Sequence, residues 1–401
     1  MPRRKLMLLG GLRYLLPVID AAHHLGCHVI TCDYLPDNIA HKYSDEYHNV
    51  SILDRDAVLS LARELRIDGI MSFAVDPGVV TAAYVADRLG LPCAGPYESI
   101  CILQDKEKFR GFLESNGFNV PRSRGFSSYE EAYADRDYFE WPVIVKPVDS
   151  AGSKGVSRVD SPDKLRAAFD NAKSHSFSSK VIIEEFVEKL GCSSDSDCFS
   201  VDGKLEFVSF SAQRFDENAD NPYTPAAYSW PSTFTKGQKM EFTAEIQRLL
   251  TLLQMRTSIY NIETRIGTNG RPYIMEVSPR GGGNRLAEMV RMATGVDMIT
   301  AAVKAALGEK VTDIVQKPYD GHWAEVILHA DRSGTFSGLD ISPEMSSHVV
   351  ERDLWVRDGE RVSSFNGAND AIGTLVLKLD SQSELESIIR AQGEWIKVRI
   401  N

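Results

Sequence analysis

Across residues 1–100, short apolar strand patterns alternate with helical ones, and this restricts the fold more than any other feature of the chain. Residues 5–9, 29–32 and 69–73 read as strands, while 17–25, 56–65 and 79–89 carry helical spacing. Strands joined in this way by helices pair in parallel and bury both faces, so the first hundred residues are expected to form a helix-covered parallel sheet.

Beyond about residue 100 the alternation stops. A helix is followed by strand patterns at 142–147, 179–186, 205–210, 260–266 and 272–277, with a helix at 240–255 before the last two. After about 310, strands at 323–329 and 373–379 and a helix at 381–392 read as a small α+β cap. No internal repeat or low-complexity tract is present. The chain of 401 residues is long enough for two to three domains, at about 150 residues each.

The formal net charge is −11, which argues against nucleic acid or an anionic membrane as the main partner, since both need a basic field. No apolar run approaches the roughly 18 residues of a membrane-spanning helix. Residues 1–9 faintly imitate a signal peptide, but Gly10, Gly11 and Arg13 interrupt the apolar stretch. They read as a first buried strand of a cytoplasmic protein. The six cysteines form no C-x-x-C, and Cys192 and Cys198 have no His nearby to complete a zinc site. His24 and His28 have helical spacing, but Gly26 lies between them at an expected helix end, so they are read as surface or core residues.

Two segments invite a nucleotide. Gly10-Gly11 ends the first strand, and Asp33 closes the second at the place of a ribose-binding acid, yet no G-x-G-x-x-G is present. Dinucleotide binding is set aside on that failure. Lys146 ends the strand 142–147 and is followed by Asp149-Ser-Ala-Gly-Ser-Lys-Gly-Val156. Small residues and two glycines allow backbone N–H groups to cradle phosphate, with the lysine as a point charge in the same pocket. An ordinary flexible hairpin turn with a surface lysine is the alternative reading.

Asn269-Gly270 between two strand patterns is a type I′ hairpin signal. A two-residue loop there sets Thr268 against Arg271, Ile266 against Tyr273, Glu263 against Glu276 and Asn261 against Ser278. Arg265 lies on the Glu263 face, while Ile262, Thr264, Ile266, Tyr273, Met275 and Val277 make the other face apolar. Like charges placed opposite each other are destabilising without a cation between them, and paired carboxylates suit Mg²⁺. A solvated acidic face is the bland alternative. Arg280 continues the parity of Glu276 and Ser278, where a guanidinium suits a carboxylate or the charge developing in acyl or phosphoryl transfer. Gly281, Gly282 and Gly283 permit close substrate approach, and Asn284 and Arg285 follow.

Together these residues resemble the ATP-grasp superfamily, especially its carbamoyl-phosphate-synthase-like and carboxylate–amine ligase members. The resemblance runs from about 100 to 300. It implies a pre-ATP-grasp domain over 1–100, a small lobe over 101–187, a large lobe over 188–310 and the C-terminal α+β domain over 311–401. It further implies that Lys106 and Lys146 hold ATP phosphates under a closing loop of Ser150, Gly152, Ser153, Lys154, Gly155 and Val156. The hinge Glu184-Glu185-Phe186-Val187 would hold adenine, with Glu184 accepting from the amino group and Glu188 reaching the ribose, since Ser193 stands where relatives often carry Glu. Glu263 and Glu276 match the metal-binding acids; Ser278 replaces the usual Asn as a third ligand. Arg280 matches the arginine of N-P-R.

The implied enzyme is an ADP-forming carboxylate–amine ligase using ATP with Mg²⁺ or Mn²⁺, acting on a small carboxylic acid and an amine (amino acids first) through an acyl phosphate. Its substrate contacts are expected from Arg280, Gly282, Gly283, Asn284 and Arg214, the last in a loop over residues 213–234. A homodimer is the implied assembly. A nucleotide-holding module without chemistry is the rival; the complete Lys106, Lys146, Glu263, Glu276 and Arg280 set argues against it.

Overall fold

A computed structural model describes residues 3–401. Its first sheet is parallel, ordered Glu46–His48, His28–Cys32, Lys5–Leu9, Gly69–Ser72. Leu16–His24, Arg55–Leu65 and Pro77–Leu89 are its main helices. Asp54 caps the second by accepting from the Ala57 N–H. All six cysteines are free, and His28 pairs with Glu46 across the sheet. No helix among the described residues is long and apolar enough to cross a membrane.

Helices Tyr97–Gln104 and Lys106–Ser115 lead into an antiparallel sheet ordered Ser123–Phe126, Val181–Glu185, Val143–Pro147, Ser157–Val159. A second antiparallel sheet runs Lys204–Val208, Ser194–Val201, Ser258–Ile266, Pro272–Ser278. The strand Ser194–Val201 begins Ser-Asp-Ser-Asp, without apolar alternation, and is not among the expected strands. It nevertheless lies between two other strands, its serines buried.

Two expectations about the chain's layout change. Residues 213–234 are not a loop: Ala212–Phe215 and Pro225–Trp230 are paired strands. They join His322–Leu328, Gly373–Leu379 and Val349–Leu354 in one five-stranded sheet, so that sheet crosses the expected boundary at 310. The alternation Ala226, Tyr228, Trp230 on one side supplies a face that joins the core holding Leu286, Met289 and Val290.

The hairpin register also differs. Ile266 pairs with Pro272 and Arg265 with Tyr273, one residue off the expected register. The turn is longer than two residues: the Gly267 N–H reaches the Arg271 carbonyl, and Gly270 takes φ +77°. Asn269 uses its side chain instead, accepting from the Arg271 N–H and donating to the Tyr273 hydroxyl. A bulge at Met275 then restores the expected pairs, Glu263 with Glu276 and Asn261 with Ser278. The bulge turns Met275 toward the cleft and puts Ile274 in the core with Ile262, Ile266 and Val277.

The first sheet meets this hairpin at Gly281. Its carbonyl accepts from the Ala74 N–H at 3.0 Å, and an added Cβ would stand 2.2 Å from the Phe73 ring. Gly281→Ala is therefore expected to lower stability by about 1–3 kcal/mol through overpacking. Urea denaturation measures it; an unchanged midpoint would mean that the Phe73 ring moves aside freely.

Candidate functional site

Two rows of side chains cross the central sheet on its exposed face. Asp195, Glu263 and Glu276 stand directly opposite one another on three adjacent strands, and Asp197, Asn261 and Ser278 form the next row. The sheet's other face is core, so none of the three carboxylates can turn away. Arg265 flanks the row, 3.4 Å from Glu263, and donates to Ser193 Oγ and the Val187 carbonyl.

Facing this sheet across a cleft is the sheet that carries Lys146. Lys146 Nζ lies 2.8 Å from Glu184, whose other oxygen is 2.9 Å from Arg110. Arg110 and Glu184 are each 2% exposed. Burial alone would raise the Glu184 carboxyl, but Arg110 and Lys146 outweigh it and hold it at about 2. Burial also lowers the Lys146 ammonium, against the pull of Glu184. Lys106 donates to the Ser150 carbonyl at 2.8 Å and lies 3.8 Å from Glu276. Both lysines thus face the carboxylate row with a fixed partner behind them.

Ser150, Gly152, Ser153, Lys154 and Val156 line the cleft, whereas Gly155 backs onto His175. Ser153 Oγ donates to the Tyr223 carbonyl, tying this loop to the 216–224 connection. Glu185, Phe186 and Val187 also line the cleft. Glu185 accepts from the Glu140 N–H and pairs with Arg122. The Phe186 N–H is taken by the Pro142 carbonyl. Glu188 is exposed and outside the lining, engaged only through its carbonyl with the Thr268 N–H.

Glu184 lines the cleft, its carboxylate shared with Arg110 and Lys146 and still able to accept. Three expected roles meet a different geometry. Ser278 is buried, accepting from Gln104 and donating to Asp76, and does not line the cleft. Arg280 turns from the cleft to grip both oxygens of Asp76, at 3.0 and 2.6 Å. Burial raises the Asp76 carboxyl, but Arg280 more than compensates and holds it below the usual range. Arg214 points to Glu386 at 2.7 Å, on the far side of its sheet.

Gly282, Gly283 and Asn284 lie beside a second polar group of residues. The Gly282 N–H donates to Asp197, and Asn284 joins Tyr14 to Tyr228 through its amide. Asp195 accepts from Asn261 at 2.7 Å and from the Tyr228 hydroxyl at 3.1 Å. Burial, with Glu263 beside it, pushes Asp195 up to about 7; burial likewise pushes Asp197 to about 7 against its Gly282 hydrogen bond and Arg280. Asp76, Arg110, Asp195, Asp197 and Gln213 were not marked by spacing. The alternation of Asp195 and Asp197 in Ser-Asp-Ser-Asp is the one signal that marks them as same-face strand residues.

Residues 139–288 match the family described as an ATP-grasp domain. A formate-dependent phosphoribosylglycinamide formyltransferase of Synechococcus sp. (strain WH7803) is 31% identical over 186 residues, 46% of this chain and 48% of that protein. A carbamoyl phosphate synthase large chain of Thermoanaerobacter sp. (strain X514) is 24% identical over 262 residues, 63% of this chain and 23% of the other. The chain thus spans about half or less of the length of these relatives. An L-amino acid ligase structure from Bacillus licheniformis superposes with a TM-score of 0.81 at 21% identity, covering 100% of both chains. The fold is the ATP-grasp fold, with α/β and α+β parts.

A carboxyl raised from about 3.9 in the unfolded chain to about 7 in the folded one adds stability at low pH and loses it as pH rises through 7. Asp197→Asn, whose amide oxygen still accepts from Gly282, is expected to remove this contribution. The wild-type melting temperature should fall relative to the variant's between pH 4 and pH 7; parallel curves would refute the shift.

Proposed function

We propose, on the premise that this chain carries an ATP-grasp domain, that it is an ADP-forming ligase joining a small carboxylic acid to an amine. The observation that carries this reading is the convergence of Lys106, Lys146, Glu263, Glu276 and the 150–156 loop on one cleft. The two lysines supply positive charge for phosphate oxygens, and backbone N–H groups of the small-residue loop complete the cradle.

The donor set fits Mg²⁺ or Mn²⁺. Glu263 and Glu276 are directly opposed, partly exposed to the cleft and hard oxygen donors. Such an ion takes one or two carboxylates and completes its shell with water and phosphate. When bound there, the ion supplies neutralisation of phosphate charge.

The acid's carboxylate oxygen attacks the γ-phosphorus, the bond to the β-phosphate oxygen breaks, and ADP leaves. The amine, once its ammonium form has given a proton to solvent, attacks the acyl carbon; the carbon–oxygen bond to phosphate breaks and the nitrogen loses a second proton. Lys146, fixed by Glu184, and Lys106, fixed by Ser150, stabilise charge on the transferred group; catalysis is positioning and electrostatics. Arg280 acts from behind the row as a positioning residue, anchored on Asp76. The tie between Ser153 and Tyr223 makes the loop a cover that excludes water from the acyl phosphate.

Nucleotide product analysis tests the reading. The protein with Mg²⁺ and ATP, offered amino acids and other small carboxylates singly and in pairs, should release ADP and phosphate only with particular acids. Release of AMP and pyrophosphate would replace it with adenylation, and ATP binding without turnover would favour a binding module. Glu276→Gln should lose at least about a hundredfold in turnover; near-normal activity would sink the metal assignment.

A further inference from the structure

The polar group beyond Glu263 has more acceptors than donors. Gln213, Tyr228 and Glu325 stand opposite one another on three adjacent strands of the five-stranded sheet, forming a row like that of the carboxylates. The two rows meet where the Tyr228 hydroxyl donates to Asp195 and the Gln213 N–H donates to the Ser193 carbonyl.

Gln213 is 5% exposed, lines the same cleft as Glu263 and Glu276, and its amide oxygen has no partner. Glu325, beside Tyr228, is completely buried with neither oxygen paired. An unsatisfied buried acceptor costs free energy, so a donor is missing from this place. The neighbouring guanidiniums do not supply it. Arg280 is held by Asp76, Arg265 by Ser193 and Glu263, and Arg285 by Glu288, Glu351 and Thr374.

We infer that Asp195, Gln213 and Tyr228 form the subsite for a primary ammonium group, the form in which the amine substrate arrives. This rests on the ligase reading and adds the amine's chemical class: an unsubstituted, cationic nitrogen with three N–H donors. Asp195 supplies the countercharge, Gln213 Oε1 an acceptor, and Tyr228 aims the carboxylate while Asn284 steadies its hydroxyl. The site abuts Glu263, so a nitrogen held there lies next to the carboxylate row.

Methylammonium chloride is the probe, titrated into the protein with Mg²⁺ and ADP and compared with tetramethylammonium chloride, which has no N–H donor. Melting temperature is the readout and needs no turnover. Methylammonium should stabilise the wild type saturably and tetramethylammonium should not. Asp195→Asn and Gln213→Leu should each raise the half-saturating methylammonium concentration at least about tenfold, the loss of one charge-assisted hydrogen bond. The second variant keeps the backbone bond to Ser193 and guards against a folding defect in the first. Equal responses to the two salts, or unchanged half-saturation in both variants, would overturn the subsite. Loss of Mg²⁺-dependent ADP binding in Asp195→Asn would overturn it too, by making Asp195 a metal ligand. Hydroxylamine with ATP and the carboxylate panel tests the ligase reading separately, through ADP and hydroxamate. Hydroxamate without methylammonium binding fails only the subsite, and binding without hydroxamate fails only the ligase.

Discussion

Three carboxylates stand side by side across the central sheet, and the surrounding structure is arranged around them. Asp195, Glu263 and Glu276 occupy one row, and cross-strand neighbours of this kind have Cβ atoms about 5 Å apart. At such distances like charges repel by several kcal/mol even at an effective dielectric of about 20. The apolar underside prevents any of them from rotating away, so relief comes from outside the row. Lys106 approaches Glu276, Arg265 approaches Glu263, and Asp195 is answered by hydrogen bonds from Asn261 and Tyr228. Burial, with Glu263 beside it, pushes Asp195 up to about 7 against Asn261, Arg280 and Tyr228.

The opposing lobe solves a related problem in the opposite way. Glu184 is more deeply buried than any member of the row, yet it stays ionised because two cations flank it. Arg110 also donates to the Met275 carbonyl, the bulge residue of the carboxylate hairpin. One arginine therefore ties the strand behind Lys146 to the point where the hairpin register is reset. Removing such a partner from a buried pair is costly, because it leaves an uncompensated charge. The arrangement fixes the Lys146 ammonium on the cleft wall without a loop.

Much of this was legible in the sequence where periodicity was strong. The parallel sheet followed from alternating strands and helices, and the facing of Glu263 and Glu276 followed from strand parity around Asn269-Gly270. The route to that facing was wrong in detail: the turn is longer than two residues, and a one-residue bulge returns the register. Parity cannot reveal a bulge, because the inserted Met275 is apolar and fits either face. The strand Ser194–Val201 was hidden because its serines are buried through hydrogen bonds to Ser209 and Ser211 rather than through hydrophobic contact. Arg214 and Arg280 were misaimed for a third reason: Glu386 and Asp76, which claim them, come from distant parts of the chain.

Those distant partners give the first sheet its part in the site. Asp76 lies just beyond the strand Gly69–Ser72, and it fixes both Ser278 and Arg280 at the end of the carboxylate hairpin. Tyr14, after the first strand, holds Asn284, which in turn holds Tyr228 against Asp195. Both contacts come from the carboxyl ends of parallel strands, the edge at which open α/β sheets present their ligand-facing loops. Here that edge contributes the struts of a site built mainly on another sheet. A shift between the first sheet and the large lobe would therefore disturb the two ends of the carboxylate platform together, through Asp76 at one row and Tyr14 at the other.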